Sequence, residues 1–278
     1  VTSHKIVKDI KSLFGNSKIH NLDNEIRWFV EEKIFPKKSH LSLNVLPQEA
    51  EALINDFVTR RKQGEPLAYI LGNQDFMGLR FAVSPAVLIP RRETEEMVEC
   101  IENEYSGVNE EILFADLGSG SGCIGISLAK RNNKFRGDLI EISGEAFEVL
   151  KQNRATLDLQ NKTEAHCASV EEFFATTKKM YRVIVANPPY IDELDPRVDP
   201  DTRKYEPNLA LFAKKNGMEL ILNWQECAFD HLMSTGAMFI EIGHEQGPAL
   251  KEHFLTKQLD FKIYQDLQGR DRWIRLTR

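Results

Sequence analysis

The chain has 278 residues, of which 42% are hydrophobic and 28% charged, and its net charge is −6. This is the composition of a folded globular protein with one large domain or two ordinary ones, which excludes a disordered chain and argues against a general nucleic-acid binder with its basic face. No uninterrupted apolar run approaches the roughly 18–20 residues that cross a bilayer, and Lys5, Lys8, Asp9 and Lys11 interrupt any signal-peptide core.

Residues 1–72 read as a small helical bundle. Ile6, Ile10 and Leu13 recur at helical spacing, as do Leu22, Ile26, Phe29 and Val30. A third helix, with Pro47 in its first turn, carries Ala50, Leu53, Ile54, Phe57 and Val58 on one face. Residues 73–92, where Gly78, Pro85 and Pro90 punctuate short apolar segments, read as a β-hairpin connector. The acidic "ETEE" then favours a helix start, with Met97, Val98 and Ile101 sharing a face beyond it.

From about residue 112 strand and helix patterns alternate, which predicts an α/β domain with a mainly parallel sheet over 93–278. The strand "ILFADL" leads to the helix "CIGISLAK", and "GDLIEIS" leads to "EAFEVLKQNRATL". Later come the strand "YRVIVA", the helix "GMELILNWQECAFDHL", the strand "GAMFIEIG" and the helix "GPALKEHF". "FKIYQDL" and "DRWIRLTR" read as a closing antiparallel pair. Charge follows the same division: residues 1–85 hold 12 Lys and Arg against 10 Asp and Glu, and the remainder 24 against 32. Cys100, Cys123, Cys167 and Cys227 are isolated from one another and from His at ligand spacing. Neither a metal site nor a disulfide framework is expected, and a reducing cytoplasm is.

"DLGSGSG" places Gly118, Gly120 and Gly122 at the carboxyl end of the first of these strands, the edge at which open α/β sheets bind ligands. Asp116 precedes the turn, positioned to hold a cofactor or the loop itself. Glu141 ends the next strand about 20 residues on, where an acid grips the ribose of nucleotide cofactors. The alternative for Glu141 is a solvated strand end.

In "VANPPYI" a buried strand stops at Asn187. Asn187 precedes proline and is therefore extended, while Pro188 and Pro189 have fixed φ angles and no N–H. The stiff segment offers the Asn187 side-chain carbonyl, a neighbouring backbone carbonyl and the flat face of Tyr190. Two acceptors beside a flat face match a planar NH₂ group. Held by both hydrogens, such a group aims its nitrogen lone pair at an incoming methyl. The group can belong to a nucleobase or to a side-chain amide.

The G-x-G-x-G turn after Asp116 resembles motif I of S-adenosylmethionine-dependent methyltransferases, and with "NPPY" it resembles the enzymes that methylate planar NH₂ groups. "EPLAYILGNQDFMGLRFAVSPAVLIPRRETEEMVE" (65–99) narrows this, together with "YEPNLALF" (205–212), "FIEIGHEQG" (239–247) and "DLQGRDRWIRL" (266–276). These stretches resemble the bacterial release-factor glutamine N5-methyltransferases, the PrmC/HemK family. The resemblance implies a Rossmann-like class I methyltransferase domain behind a small helical domain that recognises substrate. It further implies methylation of the glutamine in the Gly-Gly-Gln loop of class I peptide chain release factors, with S-adenosylhomocysteine as product. Carried onto this chain, Gly118, Ser119, Gly120, Ser121 and Gly122 cradle the cofactor, Glu141 takes its ribose, and Phe173 (or its neighbour Phe174) meets the adenine. Asn187 and Pro188 hold the glutamine amide beside Pro189, with Tyr190 packing on it, and Asn187 also borders the cofactor. No membrane and no direct nucleic-acid partner is expected; N6-adenine or N2-guanine methylation is the alternative. Three departures stand out: Arg92 occupies a usual Pro, Glu141 a usual Asp, and Ala213, Lys214 and Lys215 a stretch that is usually Gly-rich and acidic.

Overall fold

Apolar residues spaced three and four apart build the first unit, residues 1–73, as α1 (Thr2–Phe14), α2 (Leu22–Phe29), α3 (Ala50–Lys62) and α4 (Leu67–Leu71). The computed structural model describes residues 2–15, 19–35 and 50–278, so the expected helical turn at Pro47 lies outside the described residues. A π-helical turn, Val30–Ile34, continues α2. Phe57 anchors this unit, stacked on Phe29 with ring centroids 4.2 Å apart and met edge-on by Phe14 at 5.6 Å. Two residues expected inside turn outward: Leu13 is 47% exposed and Leu53 44%. Phe14, four residues after Ile10 and seven after Val7, takes the inward position instead.

The hairpin β1 (Asn73–Phe76) and β2 (Leu79–Ala82) turns through Met77 and Gly78, both at positive φ. After α5 (Arg92–Glu104) come β3 (Ile112–Leu117), α6 (Cys123–Arg131), β4 (Phe135–Glu141) and α7 (Gly144–Thr156). Next are β5 (Thr163–Cys167), α8 (Val170–Thr176), β6 (Tyr181–Ala186), α9 (Pro200–Tyr205) and α10 (Asn208–Leu211). The unit closes with α11 (Glu219–Phe229), β7 (Leu232–Glu241), α12 (Gly247–Thr256), β8 (Asp260–Gln265) and β9 (Asp271–Thr277).

Seven strands form one sheet in the order β5-β4-β3-β6-β7-β9-β8, with β9 antiparallel to both its neighbours and the other pairings parallel. The sheet is thus mainly parallel with an antiparallel end, as the alternating strand and helix patterns predict. Met97, Ile101, Ile124, Leu128 and Leu150, from α5, α6 and α7, pack with Leu139, Val185 and Phe239 on one face. Val170, Trp224, Ala228 and Phe254, from α8, α11 and α12, pack with Leu117, Ile140, Ala186 and Ile240 on the other. The sequence pattern does not reveal β5: it reads "TEAHC" and forms a half-exposed edge strand, so it lacks the apolar run that marks its buried neighbours.

A buried charge lies under that edge. Asp138 accepts hydrogen bonds from Lys179 (2.9 Å) and the Tyr181 hydroxyl (2.8 Å) and is 2.7 Å from the His166 ring nitrogen. Burial alone raises a carboxyl, but these partners outweigh it and hold Asp138 below its ordinary value.

Arg92 is the first residue of α5, preceded by Arg91 at φ −104° and ψ 150°. A proline at the first helical position needs no N–H, and the extended residue before it already suits proline. Arg92→Pro is expected to stabilise the protein by about 0.4–1 kcal/mol through the unfolded chain. A lowered thermal midpoint in calorimetry would contradict this reading of the helix start.

Candidate active site

The strand order reverses between β3 and β6: from β3 the chain runs outward through β4 to β5, then crosses back to β6. A crevice opens at the carboxyl ends of the strands at such a point. Register sets what lines it. Ile140, Leu117, Ala186 and Ile240 pair across β4, β3, β6 and β7 as one row. The next residue on each strand is Glu141, Gly118, Asn187 and Glu241.

The glycine loop fills the β3 side of a cleft of about 1160 Å³, its open mouth included. Ser119 N donates to the Ile140 carbonyl (2.9 Å) and Ser119 Oγ to the Asp116 carbonyl (2.8 Å), which pins the loop to the sheet. Asp116 Oδ2 accepts from Gly125 N at 2.9 Å and so holds the first turn of α6 from beneath. Burial pushes the Asp116 carboxyl up to about 7, opposed by that hydrogen bond. The three glycines have different reasons. A Cβ on Gly118 would strike Trp224 at 2.6 Å, and one on Gly122 would strike Leu150 at 2.5 Å. At Gly120, with φ +55°, a Cβ would meet nothing within 4 Å, so only its backbone conformation requires glycine.

Glu141 is buried, and its carboxylate accepts from Gly120 N and from Ser143 N, each at 2.8 Å. It therefore ties the glycine loop to the start of α7 and is not a solvated strand end. Burial raises its carboxyl, and backbone hydrogen bonds from Ser143, Gly120 and Ile142 oppose this.

Across the cleft, Asn187 Nδ2 donates to Thr94 Oγ1 at 3.2 Å, and Thr94 Oγ1 donates to Glu241 Oε2 at 2.6 Å. The Tyr190 hydroxyl donates to Glu241 Oε1 at 3.1 Å. Gln246 Nε2 donates to the carbonyls of Tyr190 and Asn216, both at 2.9 Å. Gly217 lies so close beneath that a Cβ there would fall 1.9 Å from the Tyr190 carbonyl oxygen. It completes a turn in which Lys215 and Asn216 also take positive φ. Near the cleft, the buried Glu206 accepts from Ile89 N (3.2 Å) and pairs with Arg91.

Of the residues expected at the site, Gly118, Ser119, Gly120, Ser121, Glu141, Asn187 and Pro189 border the cleft. Gly122, Phe173, Pro188 and Tyr190 do not. Gly122 is spent on packing under α7. Phe173 is a core residue against His166 and Phe174, with centroid distances of 4.8 and 5.4 Å, and Phe174 is equally buried. The apolar lining on that side comes from Ile142, Ala168 and Val170. Pro188 is buried, and Tyr190 is drawn inward by Glu241 and does not face the cleft. Thr94, Glu241, Glu206 and Gln246 were missed as individuals, although each lies in a stretch that carried the family resemblance.

Family models match both units: PrmC N-terminal domain over residues 7–72 and Methyltransferase small domain over residues 93–200. The release factor glutamine methyltransferase of Lactococcus lactis subsp. lactis (strain IL1403) is 36% identical over 232 residues, covering 80% of this chain and 81% of that protein. Those of Koribacter versatilis (strain Ellin345) and Enterococcus faecalis (strain ATCC 700802 / V583) are 34% and 32% identical, covering 81% and 88% of this chain and 79% and 88% of theirs. Among solved structures, the N-terminal domain of human METTL16 in complex with SAH aligns with a TM-score of 0.55 at 17% identity, over 79% of this chain and 83% of that one. A ribosomal protein L11 methylase from Lactobacillus delbrueckii subsp. bulgaricus aligns with a TM-score of 0.50 at 18% identity, over 70% and 83%. At these identities the structural likeness speaks for the fold, and the sequence relatives for the family. A glycine loop and Asn187 bordering one cleft, in a chain with such relatives, lead to one conclusion: the chain belongs to the release factor glutamine methyltransferases, S-adenosylmethionine-dependent enzymes.

Proposed function

We propose that this chain methylates the side-chain amide nitrogen (N5) of the glutamine in the Gly-Gly-Gln loop of class I peptide chain release factors. The observation that carries the proposal is the register row, which sets the glycine loop and Asn187 at the ends of adjacent strands. The cleft fits S-adenosylmethionine. Gly120 leaves room where a side chain would stand, and Ile142, Ala168 and Val170 supply an apolar wall for a flat base. Glu141 retains lone pairs beyond its two backbone hydrogen bonds and takes the ribose hydroxyls with them. When bound, the cofactor supplies a methyl group already activated by its sulfonium.

The remaining chemistry is positional. An amide nitrogen is a poor nucleophile because its lone pair is delocalised into the carbonyl. Asn187 Oδ1, at the cleft edge, accepts one of its hydrogens, turns the lone pair toward the methyl and stabilises positive charge as it develops on nitrogen, whereas Pro188 is buried behind it and does not border the cleft. Tyr190 backs this segment from beneath. The proton leaves the nitrogen after transfer, so no side chain is needed as an obligatory base. The first unit recognises the release factor. The net charge of −6 supports a protein substrate over a nucleic acid, and four free cysteines support a cytoplasmic location.

Incubation with S-adenosylmethionine and a release factor is expected to add one methyl to the Gly-Gly-Gln glutamine, read by mass spectrometry of the tryptic peptide. Methyl incorporation into RNA or DNA, with none into release factor, would overturn the reading. Asn187→Ala is expected to lower the transfer rate by at least about 10²-fold, the scale of a lost transition-state acceptor, with an unchanged circular dichroism spectrum. Gly120→Val places a branched side chain at a left-handed position facing the cleft, and cofactor affinity in calorimetry is expected to fall more than about tenfold. Wild-type affinity would show that the cofactor does not pass this residue.

A further inference from the structure

Glu241 has no place in the reaction as derived above. It is 1% exposed, as is Thr94, and both oxygens of its carboxylate receive hydroxyl protons, one from Thr94 and one from Tyr190. Thr94 has a single proton, and it is spent on Glu241. Toward Asn187 its oxygen can therefore only accept, so the side-chain amide must present Nδ2 to Thr94. The carbonyl oxygen Oδ1 lies on the opposite corner of that planar group. Asn187 borders the cleft, so this choice of corner decides whether the cleft meets an acceptor or a donor.

We propose that Glu241 and Thr94 are positioning residues which set the hydrogen-bond polarity of Asn187, keeping its carbonyl oxygen available to the substrate NH₂ group. The proposal rests on the methyl-transfer reading above. A donor at Asn187 would face the two donors of an amide NH₂ and repel them. A neutral amide at position 241 would release the lock: its NH₂ could donate to Thr94 Oγ1, freeing the Thr94 proton to reach Asn187 and reversing the Asn187 group. Strand alternation accounts for the geometry. Ile240 points into the core with Leu117 and Ala186, so Glu241 points to the opposite face, where the first turn of α5 carries Thr94.

The test uses the full chain with Thr94→Val, Thr94→Ser and Glu241→Gln. Thr94→Val and Glu241→Gln are expected to lower kcat for release-factor methylation by about 10²-fold, with the cofactor Kd within about twofold of wild type, because the loss lies in orientation. Thr94→Ser keeps the hydroxyl and is expected to restore kcat to within about tenfold of wild type. Wild-type kcat in Thr94→Val, or a Thr94→Ser variant as slow as Thr94→Val, would overturn the proposal, since packing alone would then explain the site. An independent reading needs no substrate. The assigned side-chain NH₂ resonances of Asn187 are expected to be protected from water exchange in wild type and Thr94→Ser, and to exchange at least about tenfold faster in Thr94→Val. Equal exchange in all three overturns the lock. Protected resonances in a wild-type protein that leaves release factor unmethylated would refute the substrate instead.

Discussion

The site depends on one row of backbone pairing. Ile140, Leu117, Ala186 and Ile240 lie side by side on four parallel strands, so their four successors stand together at the carboxyl edge of the sheet. One of them opens the glycine loop, one begins the acceptor segment, and two are carboxylates that hold those neighbours in place. A slip of one residue in any strand would turn its side chains to the other face. The burial of Leu117, Ile140, Ala186 and Ile240 in one core makes that slip costly, so apolar packing indirectly sets the distance between the glycine loop and Asn187.

Around this row, polar groups that look idle in the sequence have structural work at the edge of the cleft. Glu141 holds Gly120, and Gln246 holds the Tyr190 carbonyl. Asn153 Nδ2 donates to the carbonyls of Ser121 (2.8 Å) and Ala82 (3.0 Å), tying the hairpin to the glycine loop. Glu206 joins the "YEPNLALF" stretch to Ile89 and Arg91. Each such group is buried or nearly so, and a buried polar group left unpaired is costly, so these partners constrain one another. The stretches that carried the family resemblance are thus contact partners of one another, which is why distant segments carry the same signature.

Much of this was legible in advance, for reasons that differ by residue. The glycine loop and the Asn-Pro-Pro-Tyr segment announce themselves because glycine and proline dictate backbone conformation locally. The strands β3, β4, β6 and β7 are legible because burial on both faces makes them continuous apolar runs. Phe173 misled because an aromatic in the right neighbourhood suits a core and a base-binding wall equally, and only packing decides between them. Tyr190 misled in the opposite sense: its flat ring suggested a substrate contact, yet its hydroxyl reaches a buried carboxylate and draws it inward.

The sequence by itself determined the class of fold and the backbone conformation of the glycine loop and of the Asn-Pro-Pro-Tyr segment, because those follow from local backbone preference and hydrophobic period. Tertiary structure alone decided which atom of Asn187 meets Thr94. That choice depends on Thr94, 93 residues before Asn187, and on Glu241, which bonds Thr94 across 147 residues of chain. No local rule couples a hydroxyl on a helix to a carboxylate at a strand end. They meet because the sheet's register and the placement of α5 bring two buried polar groups within hydrogen-bond distance, where each must find a partner.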